Sequence, residues 1–128
     1  MRRKVVLSVV VALLLVGAWA SIDMRIPHDN FHLARTQLSF VAHAIEQYRG
    51  DNGVFPPSLT ALSDNGPSGL GPYLKAKTLR DPWGRDLYYG LDPDGRGFTV
   101  FTLGRDGRIG GRGADADLSE SSRLPVEP

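Results

Sequence analysis

With 128 residues, 41% of them hydrophobic, and a formal net charge of +1, the chain has room for one domain with a small core. It contains no cysteine, which excludes a disulfide framework, thiolate chemistry and a Cys-based zinc site and leaves oxygen ligands and three histidines for any metal. Arg2, Arg3 and Lys4 are three of the fifteen basic residues; without them twelve face fourteen acidic ones, and a net charge of −2 gives nucleic-acid binding no electrostatic footing.

The chain opens on a targeting segment. Arg2-Arg3-Lys4 precede an apolar run from Val5 to Ala20, broken only by Ser8 and Gly17, which reads as a basic region followed by a hydrophobic one. Two outcomes stay open. Ala18-Trp19-Ala20 before Ser21 has the small-x-small form of a signal-peptidase site, and a helix over the run measures roughly 24 Å, short of the ~30 Å hydrocarbon core. Alternatively Ser21 and Ile22 extend the run, and residues 5–22 anchor the chain with local bilayer thinning. In both, the basic end stays cytoplasmic and the remainder faces outward.

Pro27 marks a break, and Asp29 or Asn30 is placed to cap a helix. Phe31, Ala34, Leu38, Val41, Ala42, Ile45 and Tyr48 recur at steps of three or four, with Arg35, Gln37, Glu46 and Arg49 off that stripe; an amphipathic helix over about 30–50 follows. Gly50 and Gly53, with Asp51-Asn52 between them, end it. A helix C-terminus also accounts for the triplet Arg49-Gly50-Asp51 without an adhesion role. His28 and His32 stand four apart, a metal-ligand spacing, but no third ligand is evident and His43 lies about three turns away. They read as a solvated first turn.

From Phe55 the texture changes to short apolar pieces between Pro and Gly. "FPPSLTAL" reads as a tight turn leading into a short helical segment capped by Ser58 or Thr60, within a long loop over 51–85. A Pro-Trp-Gly turn then precedes a strand from Asp86 to Leu91, the turn "DPDG", and a strand from Gly97 to Leu103 rich in β-branched and aromatic residues. The fold class is α+β: a long amphipathic helix packed on a small antiparallel sheet, with 119–128 as a tail.

The stretch "GRDGRIGGRGADADL", Gly104 to Leu118, carries five glycines and three aspartates. Asp115 and Asp117 flank Ala116, so in extended backbone both carboxylates project to one side. Asp106 sits nine residues before Asp115, and the glycines between allow the loop to fold back on it. Three converging carboxylates call for a cation, and calcium, which takes six to eight oxygens at flexible geometry, is the ion whose needs match. The alternative is a neutral surface loop in which Arg105, Arg108 and Arg112 pair with the aspartates. "GGRGADADL" nearly matches the calcium-binding nonapeptide repeat, but its apolar position falls on Asp117 and a single copy cannot stack. The EF-hand spacing is absent too.

From Thr36 to Leu118 the chain resembles the major pseudopilin of bacterial type II secretion systems, through "IEQYRGDNGVFPPSLTAL", "GPYLKAKTLRDPWGRDLYY" and "FTVFTLGRDGRIGGRGADADL". The resemblance implies a pilin-like domain over 23–118 whose C-terminal loop, 103–118, binds one calcium ion (Ca2+). Its side-chain ligands would be Asp106, Asp115 and Asp117, with the carbonyl of Leu103 and one glycine carbonyl. It also implies that the "DPWG" turn packs Trp83 and Tyr88 against the helix, and that the partners are other pseudopilins or secretion-system components. The expected location is the inner membrane, single-pass, with the domain in the periplasm, or the periplasm or exterior after cleavage following Ala20. One end departs from the family. Its members carry a short leader and then Gly-Phe-Thr-Leu-x-Glu, cut before the Phe; "RRKVVLSVVVALLLV" has no such glycine and no acidic residue before Asp23, so prepilin processing is not expected.

No catalytic constellation is found, so the expectation is a non-enzyme. Two functions of different class follow: a calcium-stabilised structural or accessory subunit linked to type II secretion, or a stand-alone periplasmic or secreted calcium-stabilised binding module. The mature N-terminus, Arg2 or Ser21, separates them.

Overall fold

The computed structural model describes residues 29–126; the expectations for the leader, its cleavage after Ala20, its anchoring of the chain, and His28 lie outside these residues. Among the described residues no helix is long and apolar enough to cross a membrane.

Helix α1, Asn30–Asn52, begins where Asp29 accepts the His32 N–H at 3.3 Å and ends where Gly53, at φ +78°, donates its N–H to the Arg49 carbonyl. It runs past Gly50 because Gly53, the residue that adopts the left-handed conformation, sets the stop. Ala34, Leu38, Val41, Ala44, Ile45 and Tyr48 are buried along one face. Arg49-Gly50-Asp51 is helical: the Arg49 guanidinium lies 5.4 Å from the Phe55 ring centre and Asp51 accepts the Tyr73 hydroxyl at 2.9 Å. Asn52 reaches both ways, donating to the Tyr48 carbonyl at 2.8 Å and accepting the Ser68 N–H at 2.8 Å, which ties the following loop to the end of α1. Two 3-10 helices in that loop, Leu59–Ser63 and Ala76–Leu79, place Leu59, Leu62 and Leu79 against the core.

Strands β1 (Tyr88–Leu91), β2 (Gly97–Thr102) and β3 (Leu118–Arg123) form one antiparallel sheet in that order. α1 packs on it, and Phe98, Val100 and Thr102 of the central strand are buried beneath the helix. β1 starts later than expected because Asp86 bridges to Arg80 rather than to β2. β3 takes Leu118, expected at the end of the loop, and residues that the sequence pattern leaves as tail. "LSESSR" offers no alternating apolar face; its place comes from backbone pairing with β2 and from Arg123, which donates to Asp92 at 2.7 Å and to Asp94 beside the β1–β2 turn.

Tyr88 is not core. Strand parity turns Leu87 and Tyr89 inward and leaves Tyr88 46% exposed, stacked on Phe101 across the outer face at 4.9 Å between ring centres. Trp83 is half-buried. Tyr89 donates its hydroxyl to the Pro56 carbonyl at 2.9 Å, and burial, with Tyr48 nearby, pushes its phenol up from 10.0 to about 12. Below pH 10 the phenol is neutral in both folded and unfolded chains and its contribution to stability is complete; it is lost as pH rises through the folded value. Absorbance titration of tyrosinate is therefore expected to show one tyrosine ionising near pH 12. Tyr89→Phe should remove that step and lessen the destabilisation above pH 10, and an unchanged titration curve would contradict the burial of this hydroxyl.

Candidate functional site: the loop between β2 and β3

The loop is held from below before its own charges act. Thr102, fully buried at the end of β2, donates its hydroxyl to Asp81 Oδ2 at 2.6 Å. Asp81 is itself buried, and its Oδ1 accepts the N–H groups of Trp83 at 3.0 Å and Arg85 at 2.9 Å, the side-chain turn expected of an aspartate ahead of Pro-Trp-Gly. That turn aims Arg85 at the loop, where Nη1 donates to the Gly104 carbonyl and Nη2 to the Arg105 carbonyl, each at 3.0 Å. Gly107, at φ +64°, takes a backbone conformation that favours glycine, and a Cβ there would stand 2.6 Å from Arg85 Nε and push the guanidinium from its place.

The loop then folds back as its glycines allow. The Arg105 N–H donates to the Ala114 carbonyl at 2.9 Å. A Cβ on Gly104, at φ +73°, would meet the Ala116 carbonyl oxygen at 2.6 Å, so backbone lies against backbone there. The turn at Gly104 also ends β2 at Thr102, leaving Leu103 half-buried between strand and loop. A 3-10 turn, Gly113–Asp115, leads into β3.

Both ends of the loop meet, but the three carboxylates take separate partners. Arg105 donates Nε to Asp115 Oδ1 at 2.8 Å and Nη2 to Oδ2 at 3.0 Å, a two-pronged pair that holds the Asp115 carboxyl below its usual range. Asp106 Oδ1 accepts the Arg108 N–H at 3.0 Å, and Asp117 Oδ2 accepts the Gly110 N–H at 3.0 Å. Among the described residues no three acidic or histidine side chains are gathered around one point as metal ligands. His32 lies exposed beside Asp29 at 3.3 Å, far in the chain from the loop.

As a donor set the loop offers carboxylate and carbonyl oxygens only, which suits a hard cation of flexible geometry. Asp106, Asp117 and the main-chain carbonyl of Leu103 are oxygen donors of that type. At Asp115 such an ion would compete with the Arg105 guanidinium, which already holds both carboxylate oxygens. Sequence reasoning did not find Asp81, Thr102 or Arg85. The aspartate before Pro-Trp-Gly is a legible turn signal, but nothing in the sequence says that the turn lies under a loop about twenty residues on.

The family model for type II secretion system protein G matches residues 25–121, a span that takes in α1, β1, β2, the whole loop and the first part of β3. The type II secretion system core protein G of Xanthomonas campestris pv. campestris is 35% identical over 120 residues, covering 88% of this chain and 84% of its own length. The proteins of the same name from Vibrio cholerae and Pseudomonas aeruginosa are similar as well: 36% identical over 95 residues (66% of this chain, 64% of the relative) and 34% identical over 97 residues (67% of each). A helix capped by Asp29, a three-stranded sheet and a glycine-rich loop braced by Arg85 are thus the form that this sequence gives to a shared domain, and the chain belongs to the type II secretion system protein G family.

Proposed function

We propose that the chain is a calcium-stabilised pseudopilin subunit of a type II secretion system, held at the inner membrane by residues 5–22 with the described domain in the periplasm. The observation that carries this reading is the family match across residues 25–121, which spans both the helix and the loop rather than one motif. On this reading α1 is the packing element of the domain, with the sheet and loop carried on it. Calcium, held by Asp106, Asp115, Asp117 and the carbonyl of Leu103, would neutralise the loop's carboxylates and close it. The role is structural, with other subunits of the secretion apparatus as partners.

Deletion of the gene in its host, with and without a plasmid copy, tests the assignment. Secretion of type II substrates is expected to fall on deletion and to return with the plasmid, and the protein should crosslink to other subunits of the apparatus. Undiminished secretion would overturn the reading. The Ala18-Trp19-Ala20 sequence favours a second one, a module released after Ala20. N-terminal sequencing of the mature protein separates them: retention of Arg2 supports the anchor, Ser21 the released module. A start inside the run Val5 to Val16 would reveal the prepilin-type processing that the missing glycine argues against.

A further inference from the structure

We infer that Arg105 is a built-in counter-cation that closes the loop in the absence of metal and that calcium must displace; the displacement rests on the calcium reading above. The loop has three arginines, and the geometry selects one. Arg105 is fixed at both of its backbone polar groups, its N–H donating to the Ala114 carbonyl at 2.9 Å and its carbonyl accepting from Arg85 at 3.0 Å. Its side chain therefore starts from a set position and meets Asp115 with two parallel bonds at 2.8 and 3.0 Å. The planar guanidinium makes both bonds from one side-chain placement, so less freedom is lost per hydrogen bond. Among the described residues Arg108 and Arg112 form no ion pair.

The pair spans ten residues, from the first turn of the loop to the segment that enters β3, so it fastens together the two ends that a bound cation would also fasten. The two compete at Asp115, because the guanidinium takes one lone pair of each carboxylate oxygen and its positive charge repels a cation brought to the same carboxylate. The Arg105 side chain is 63% exposed, so it can swing into water without unpacking anything. The loop thus has two closed forms, one neutralised by its own arginine and one by an external ion. The arginine form weakens calcium binding by the factor that exchange costs.

The test compares the full chain, purified in non-ionic detergent, with Arg105→Gln and Arg112→Gln, which lose the same charge from the same loop. Calcium chloride affinity is measured by calorimetry, and melting is followed in excess chelator. Arg105→Gln is expected to bind calcium about threefold to tenfold more tightly than wild type and to melt a few degrees lower in chelator, while Arg112→Gln changes each much less. Equal tightening in the two variants would reduce the effect to net charge and overturn the inference; so would unchanged affinity in Arg105→Gln. If none of the three proteins binds calcium, the calcium reading itself fails and displacement fails with it. Closure by Arg105 is then judged by the chelator melts alone, where equal melting of wild type and Arg105→Gln overturns it and a lower melt for the variant upholds it.

Discussion

Replacing Ile45 with alanine is expected to destabilise the domain by about 2–5 kcal/mol, the range for removing a large aliphatic side chain from a core that cannot collapse around the gap. Ile45 is wholly buried on the sheet-facing side of α1, in the cluster with Leu38, Val41, Tyr48, Leu62, Phe98 and Val100. The walls of the resulting cavity are held independently. The helix is capped at Asp29 and Gly53, β2 is paired on both edges, and the Leu59–Ser63 turn is tied down by the N–H groups of Tyr73 and Leu74, which donate to the Leu62 carbonyl at 2.8 and 3.0 Å. Relaxation is therefore small and the cavity cost is paid nearly in full. Phe40→Ala is the internal comparison: Phe40 lies on the opposite face of the same helix, 63% exposed, and its truncation should change stability by no more than about 0.5 kcal/mol. Urea unfolding of both variants reads the difference directly. A loss below about 0.5 kcal/mol for Ile45→Ala would show that this face does not carry the packing.

The second large effect is expected from calcium. An ion that binds only the folded loop stabilises by RT ln(1 + [L]/Kd), about 2.7 kcal/mol at a hundred times Kd. In a domain of this size that is a rise of roughly 10–20 °C in Tm. Magnesium should substitute poorly, because it demands a tight octahedron and gives up water reluctantly. Asp117→Ala should abolish most of the shift. In chelator the same variant should melt close to wild type, since Asp117 is exposed and contributes one hydrogen bond, to the Gly110 N–H at 3.0 Å, while its removal also thins the negative charge of the loop. The measurement is a thermal melt of the full chain in detergent, in chelator and in millimolar calcium, wild type beside the variant. Equal melting of the wild type in the two buffers would leave the loop to its arginines and aspartates alone.

What could be read from the sequence is what short-range periodicity determines. The stripe Ala34, Leu38, Val41, Ile45, Tyr48 selects a helix and the side that it buries, because a 3.6-residue period needs no knowledge of the partner. The β-branched and aromatic run of β2 and the turn after Leu91 likewise specify a hairpin locally. The loop's return on itself was legible too, since glycines that permit positive φ mark where backbone must approach backbone. Tertiary structure decided the rest. β3 has no apolar pattern and exists because β2 presents a free edge and Arg123 finds Asp92 and Asp94. Tyr88 faces outward because register, one residue either way, exchanges the two faces of a strand. That arginines of the loop could pair with its aspartates was legible, but which ones do was not: Arg85 beneath the loop and Arg105 across it are chosen by distances between segments ten to twenty residues apart, and a salt bridge has no sequence period by which to announce itself.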